Sequence, residues 1–103
     1  MVTRKEILDK LSLVNDPELG ISIVDLGLIY EIKIEKRKGE KQKAYIKMTF
    51  TTPACPLATV ILDEIKNRLE ELKDIDVEIS IVFEPLWDPS RMSQKAKAKL
   101  GML

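Results

Sequence analysis

The spacing of apolar residues along this chain changes three times, and those changes narrow the available folds more than any other feature. From Leu28 the period is two. Leu28, Tyr30, Ile32 and Ile34 fall on one side of an extended chain, with Glu31, Lys33 and Glu35 on the other. The charged tract Lys36 to Lys43, containing Gly39, reads as a solvated hairpin loop. A second strand follows, with Ile46, Met48 and Phe50 inward and Tyr45, Lys47 and Thr49 outward. The spacing then switches to three and four: Leu57, Val60, Ile61, Ile65, Leu69 and Leu72 form the stripe of the longest helix. It returns to two at Asp76, with Val77, Ile79, Ile81 and Phe83 on one face. Strands joined by a hairpin pair antiparallel, while strand, helix and strand in order give a right-handed crossover between parallel strands.

The flanks complete the pattern. Thr3 and Glu6 have capping-box spacing, and Ile7, Leu8 and Leu11 line a short helix running to about Leu13. Asn15-Asp16-Pro17-Glu18 and Gly20 end it. The following loop, Ile21 to Gly27, is unusually apolar and holds Asp25 in its middle. Pro56 suits the first position of the main helix, where a missing amide hydrogen costs nothing. An irregular tail from Glu84 to Ser93 has Pro85 and Pro89 flanking Trp87, and a short helix from about Ser90 to Leu100 follows. The expected fold is one α/β (α+β) domain over residues 1–103, in the order αββαβα. It has a small mixed three-stranded sheet with helices mainly on one face.

Composition removes whole classes of chemistry. The 103 residues include no histidine and one cysteine, Cys55. Imidazole-based triads, Cys–His pairs, internal disulfides and redox CxxC motifs are therefore excluded. Seventeen basic side chains balance seventeen acidic ones, which argues against a nucleic-acid binder working by bulk electrostatics. Apolar runs are too short for a signal peptide or a membrane span, and a lone thiol fits a reducing, cytoplasmic setting. Abundant Ile, Lys and Glu with scarce Asn and Gln is a bias found in proteins of hot environments.

Two groups of residues can carry chemistry. Cys55 sits at or beside the start of the main helix, where free amides and the dipole favour a thiolate, a nucleophile and soft-metal ligand. A small buried apolar residue is the competing reading. A phosphatase-type loop places an arginine shortly downstream of its cysteine, and here no basic residue follows before Lys66. The second group is Asp16, Glu18, Ser22 and Asp25. Asp16 and Ser22 fit local bonds to turn amides, with Glu18 solvated. Asp25, flanked by Ile23, Val24 and Leu26, needs partners: helix amides, the Thr51 or Thr52 hydroxyls, or a metal. Thr51, Thr52 and Cys55 leave the carboxyl end of the second strand, the usual place for a site in an α/β unit. Trp87 exits the third strand at the same end, as a plug over the sheet edge or a wall of the cleft.

In order along the chain, Asp16-Pro17-Glu18, Ser22-Ile23-Val24-Asp25-Leu26-Gly27-Leu28-Ile29-Tyr30, Thr51-Thr52 with Cys55-Pro56, and Trp87 before Met92-Ser93 resemble one family's pattern. It is the PaaD/SufT-like family of metal–sulfur cluster biosynthetic proteins, and the resemblance covers nearly the whole chain. It implies an iron–sulfur cluster assembly or maturation factor that helps form clusters or deliver them to apo-proteins. On this resemblance Cys55 is the functional thiol and tentative metal ligand. Asp25, Thr51 and Thr52 are its neighbours, and Asp16, Glu18 and Ser22 the adjoining loop motif. The cargo is a transiently held iron–sulfur cluster or iron, and the partners are assembly proteins and apo-clients, with neither nucleic acid nor membrane involved. PaaD-type members carry extra C-terminal cysteines that this sequence lacks, which favours a general maturation role.

One thiol cannot supply four cysteine ligands. Other ligands must come from carboxylates, small thiols, a client or a second subunit. A homodimer joins two copies of Cys55 only if the helix starts face each other. The alternatives are a metal-free adaptor recruiting clients or assembly proteins, and, ranked below it for want of a base, a small thiol-dependent enzyme.

Overall fold

A computed structural model describes residues 2–36, 39, 41–51 and 57–101. The element order is α1 (Arg4–Leu11), β1 (Ile29–Glu35), β2 (Gln42–Met48), α2 (Ala58–Leu69), β3 (Ile75–Ile81), a 3-10 turn (Pro89–Arg91) and α3 (Gln94–Lys99). The sheet has three strands in the order β1-β2-β3, antiparallel between β1 and β2 and parallel between β2 and β3. This is the small α+β arrangement that the changes of period imply.

Local chemistry explains most of the boundaries. Thr3 caps α1 by accepting from the Glu6 amide, and the Glu6 carboxylate accepts in return from the Thr3 amide, so the capping box is complete. Lys66 and Arg68 lie in the last turn of α2, where cations offset the negative end of the helix dipole. Ser93 caps α3 by accepting from the Ala96 amide. At the start of β2, the Gln42 side chain clips the amino-terminal segment, accepting from the Val2 amide at 2.8 Å and donating to the Val2 carbonyl at 3.0 Å.

The core lies between the helices and one face of the sheet. Ile7 and Leu11 of α1 join Ile61, Ile65 and Leu69 of α2 over Ile32, Ala44, Ile46 and Met48. Register keeps this face apolar, because Ile32 pairs with Ile46, Ile46 with Ile79, and Met48 with Ile81. The loop before β1 also belongs to the core, with Ile21, Ile23, Leu26 and Leu28 buried.

Four sequence expectations are corrected. The β1–β2 register slips between Ile29 and Glu31, so Tyr30 leaves the inward row that simple alternation assigned it. Thr49, expected to face outward, is fully buried, because β2 ends at Met48 and the chain turns under Leu28, whose carbonyl accepts from the Thr49 amide. Val60 is half exposed, outside the arc of α2 that meets the core. The carboxyl-terminal helix is two pieces, a 3-10 turn and α3, interrupted where Met92 and Ser93 are extended. The described part of α2 begins at Ala58 with Leu57 at its N-cap, and the expectation for Pro56 lies outside the described residues.

Substitutions on α2 separate its two faces. Ile65→Ala should cost about 2–5 kcal/mol, since a buried aliphatic leaves a cavity. Val60→Thr should stay within about 0.5 kcal/mol. Urea unfolding followed by circular dichroism measures both.

Candidate functional site

The sheet places three segments at one end. Ile29 pairs with Met48 and Met48 with Ile81, so the residues before Ile29, after Met48 and after Ile81 leave together. Two bonds fasten them: the Thr49 amide donates to the Leu28 carbonyl and the Val82 amide to the Met48 carbonyl, both at 2.9 Å. The apolar loop, the Thr51 end of the crossover and the Trp87 tail therefore share one pole of the molecule. Sequence reasoning put Thr51 and Trp87 there from strand direction alone.

Each loop-motif residue has a distinct place. Asp16 is buried, and its Oδ1 accepts from the amides of Glu18 at 2.8 Å and Leu19 at 3.0 Å. Ser22 is buried too, its hydroxyl accepting from the Val24 amide. These are the local turn bonds expected of short polar side chains, and Glu18 is exposed as expected. Asp25 is half-buried and lines a cavity of about 240 Å³ with Asn15 and Ser22, facing Lys95 and Lys99 of α3. Among the described residues its carboxylate makes no hydrogen bond to Thr51, which is half-buried at the same pole. Thr52 and Cys55 lie outside the described residues. Among the described residues no three acidic or cysteine side chains converge as a metal site.

The tail fixes the loop in place. Trp87 is half-buried and its indole Nε1 donates to the Leu26 carbonyl at 2.7 Å. The Ser93 amide donates to the Asp25 carbonyl at 2.8 Å. Gly27, at φ +78°, lies so near Arg91 that a Cβ would overlap its carbonyl oxygen and come within 2.7 Å of its carbonyl carbon. Tyr30, turned by the register slip, donates its hydroxyl to the Pro85 carbonyl and lies under the Arg91 guanidinium, 4.6 Å from the ring centroid. Sequence reading missed the Tyr30–Pro85–Arg91 contact. Its members are far apart in the chain, and the slip that joins them leaves no local signal.

Asp88 starts the 3-10 turn. Its carboxylate accepts from both the hydroxyl and the amide of Ser90, and these bonds hold it below the ordinary aspartate value. At the far side of the molecule, the hydrogen bond from Lys10 likewise lowers the Glu71 carboxyl.

The comparisons with known proteins agree with one another. Residues 4–81 match the family described as iron–sulfur cluster assembly protein. The Fe-S protein maturation auxiliary factor YitW of Bacillus subtilis strain 168 is 41% identical over 100 residues, covering 96% of this chain and 94% of that one. The Fe-S protein maturation auxiliary factor SufT of Staphylococcus aureus strain USA300 is 40% identical over 91 residues, covering 87% and 99%. Among solved structures, a domain of unknown function, DUF59, from Bacillus anthracis superposes with a TM-score of 0.85 at 35% identity, covering 96% of this chain and 92% of that one.

Two measurements check the pole. Gly27→Ala should lose more than about 2 kcal/mol from left-handed strain and collision with Arg91, and Trp87→Phe about 1–3 kcal/mol from the unpaired Leu26 carbonyl. Chemical denaturation reads both. Because the folded value of Asp88 is depressed, its contribution is complete above the unfolded aspartate value, about 3.9, and is lost as pH falls through the folded value. Asp88→Asn should flatten that part of the acid limb in a pH series of melting temperatures.

Proposed function

This chain belongs to the iron–sulfur cluster assembly protein family, and from that premise we propose that it is a maturation factor for iron–sulfur proteins, with Cys55 as its functional thiol. The observation that carries the reading is the match to two proteins named as maturation auxiliary factors, across most of this chain and nearly the whole of theirs. Those names describe auxiliary factors, which supports a non-enzymatic role in this proposal.

In this proposal the cargo is an iron–sulfur cluster or iron, held briefly. Cys55 precedes Leu57, the N-cap of the described helix, by two residues. Among the described residues, that helix start has no side-chain cap bond and no acidic residue in its first turn. Amides without such partners and the positive end of the dipole favour an anion nearby, which supports a thiolate. Asp25, Thr51 and Thr52 would border the cargo. Asp16 and Ser22 would hold the loop that presents Asp25, with Glu18 on the exposed rim. A single thiol leaves coordination positions for the cysteines of an assembly protein or an apo-client. Transfer then exchanges one thiolate at a time, and the weak hold assists release.

Anaerobic reconstitution with iron and sulfide tests the role of the thiol. Wild type should develop a sulfide-to-iron charge-transfer absorption and activate an apo-protein that requires a cluster. Cys55→Ser should lose both, with an unchanged far-ultraviolet spectrum. Equal activation by Cys55→Ser without a cysteine-dependent chromophore would replace this reading with the metal-free adaptor.

A further inference from the structure

We propose that the free outer edge of β3 takes up, as an added strand, an extended segment of a partner protein in which lysine or arginine alternates with apolar residues. The proposal rests on the maturation role above, in which that partner is an apo-client. Among the described residues nothing pairs with this edge. The opposite edge differs: near Tyr30, the tail covers β1 through Pro85 and Arg91. Proline, lysine and bulges commonly blunt an exposed edge. The seven residues of β3 hold neither proline nor lysine, and their register with β2 runs without a slip.

Backbone direction fixes which groups are free. The Asp74 carbonyl accepts from the Gln42 amide, and the Val82 amide donates to the Met48 carbonyl. Alternate residues of a parallel strand turn both backbone groups toward the same neighbour. Even-numbered residues from Asp74 to Val82 thus face β2, and Ile75, Val77, Ile79 and Ile81 offer amides and carbonyls outward. Ile75, Val77 and Ile79 line an open groove of about 600 Å³ with Leu69 and Leu72. A strand laid along the edge sets every second side chain over this groove, where apolar groups fit, and the others beside Asp76 and Glu78.

Charge specifies those other positions. From Asp74 to Glu84 the chain has four carboxylates and no base. Asp76 and Glu78 are exposed, and neither makes an ion pair among the described residues. The lysines of β2 are engaged elsewhere: Lys43, beside Asp76 in register, stacks over Tyr45, and Lys47 pairs with Glu31. Two copies of this edge bring no opposite charges together, whereas a basic residue at alternate positions of an incoming strand meets both carboxylates. Lys66 and Lys73 line the groove instead, which disfavours cations at the positions between. The edge also leads to the candidate site. β3 ends at the Thr51 pole, so residues flanking a docked segment, a cluster-binding cysteine among them, arrive there.

Titration of the full, iron-free chain with a short synthetic peptide of alternating lysine and valine, followed by amide resonances, tests the proposal. The Val77 and Ile79 amides should shift and become protected from exchange, and binding should weaken as salt rises. Asp76→Lys with Glu78→Lys, both at exposed positions, should weaken this peptide by roughly tenfold and confer binding of the glutamate–valine counterpart. In the reconstitution assay the lysine–valine peptide should compete with the apo-client and leave the charge-transfer absorption unchanged. No binding up to about 1 mM, equal binding of the two peptides, shifts centred elsewhere, or self-association that covers β3 would each overturn the proposal. So would client activation that persists at saturating peptide. Full activity of Cys55→Ser would strike the thiol reading alone, because the edge is read on iron-free protein.

Discussion

A loop of apolar residues cannot be buried without partners for its backbone, and this constraint organises the molecule. Ile21, Ile23, Leu26 and Leu28 enter the core between α1 and β1. Their peptide groups leave water with them, and an unpaired buried carbonyl or amide costs as much as a lost hydrogen bond. Part of the demand is met within the turn, where the Leu28 amide donates to Ile23 and the Leu26 amide to Ser22. The rest is met from a distance. Thr49 serves Leu28, Trp87 serves Leu26 and Ser93 serves Asp25. The tail beyond β3 thus completes a loop that precedes it by some sixty residues, and Gly27 permits the approach by having no side chain.

That dependence gives the candidate site its character. Its rim is assembled from three separate stretches fastened mainly by main-chain bonds, which depend on backbone path more than on side-chain identity. Side chains at the pole can then vary in chemistry while their positions hold. Asp16 and Ser22 illustrate the division of labour: both are spent on turn amides, which leaves Asp25 the half-buried carboxylate of the motif beside the α3 lysines.

Much of this was legible in the sequence because it depends on periodicity and local chemistry. The capping box at Thr3, the alternation of β1 and β2, the α2 stripe through Ile61, Ile65 and Leu69, and the parallel placement of β3 all follow from spacing. The ordered motifs pointed to the family. What escaped was decided at long range. Thr49 is buried because a loop passes beside it, and Val60 is exposed because it lies off the stripe of α2 that is buried, Ile61, Ile65 and Leu69. Tyr30 changes sides through a one-residue slip. Asp25 lines its cavity together with Lys95 and Lys99, and nothing in the spacing of either segment encodes that meeting.

The clip between Gln42 and Val2 has a practical meaning of its own. Gln42 opens β2, whereas Thr51 follows its other end, so the amino-terminal segment is moored a full strand length from the candidate site. A fusion partner or immobilising tag joined there would leave the pole of Asp25, Thr51 and Trp87 open to incoming proteins. The same attachment after α3, whose Lys99 reaches the Gly20 carbonyl, would crowd the turn that holds the loop. Orientation on a surface, or order in a chimera, is therefore a choice between an open and an obstructed pole.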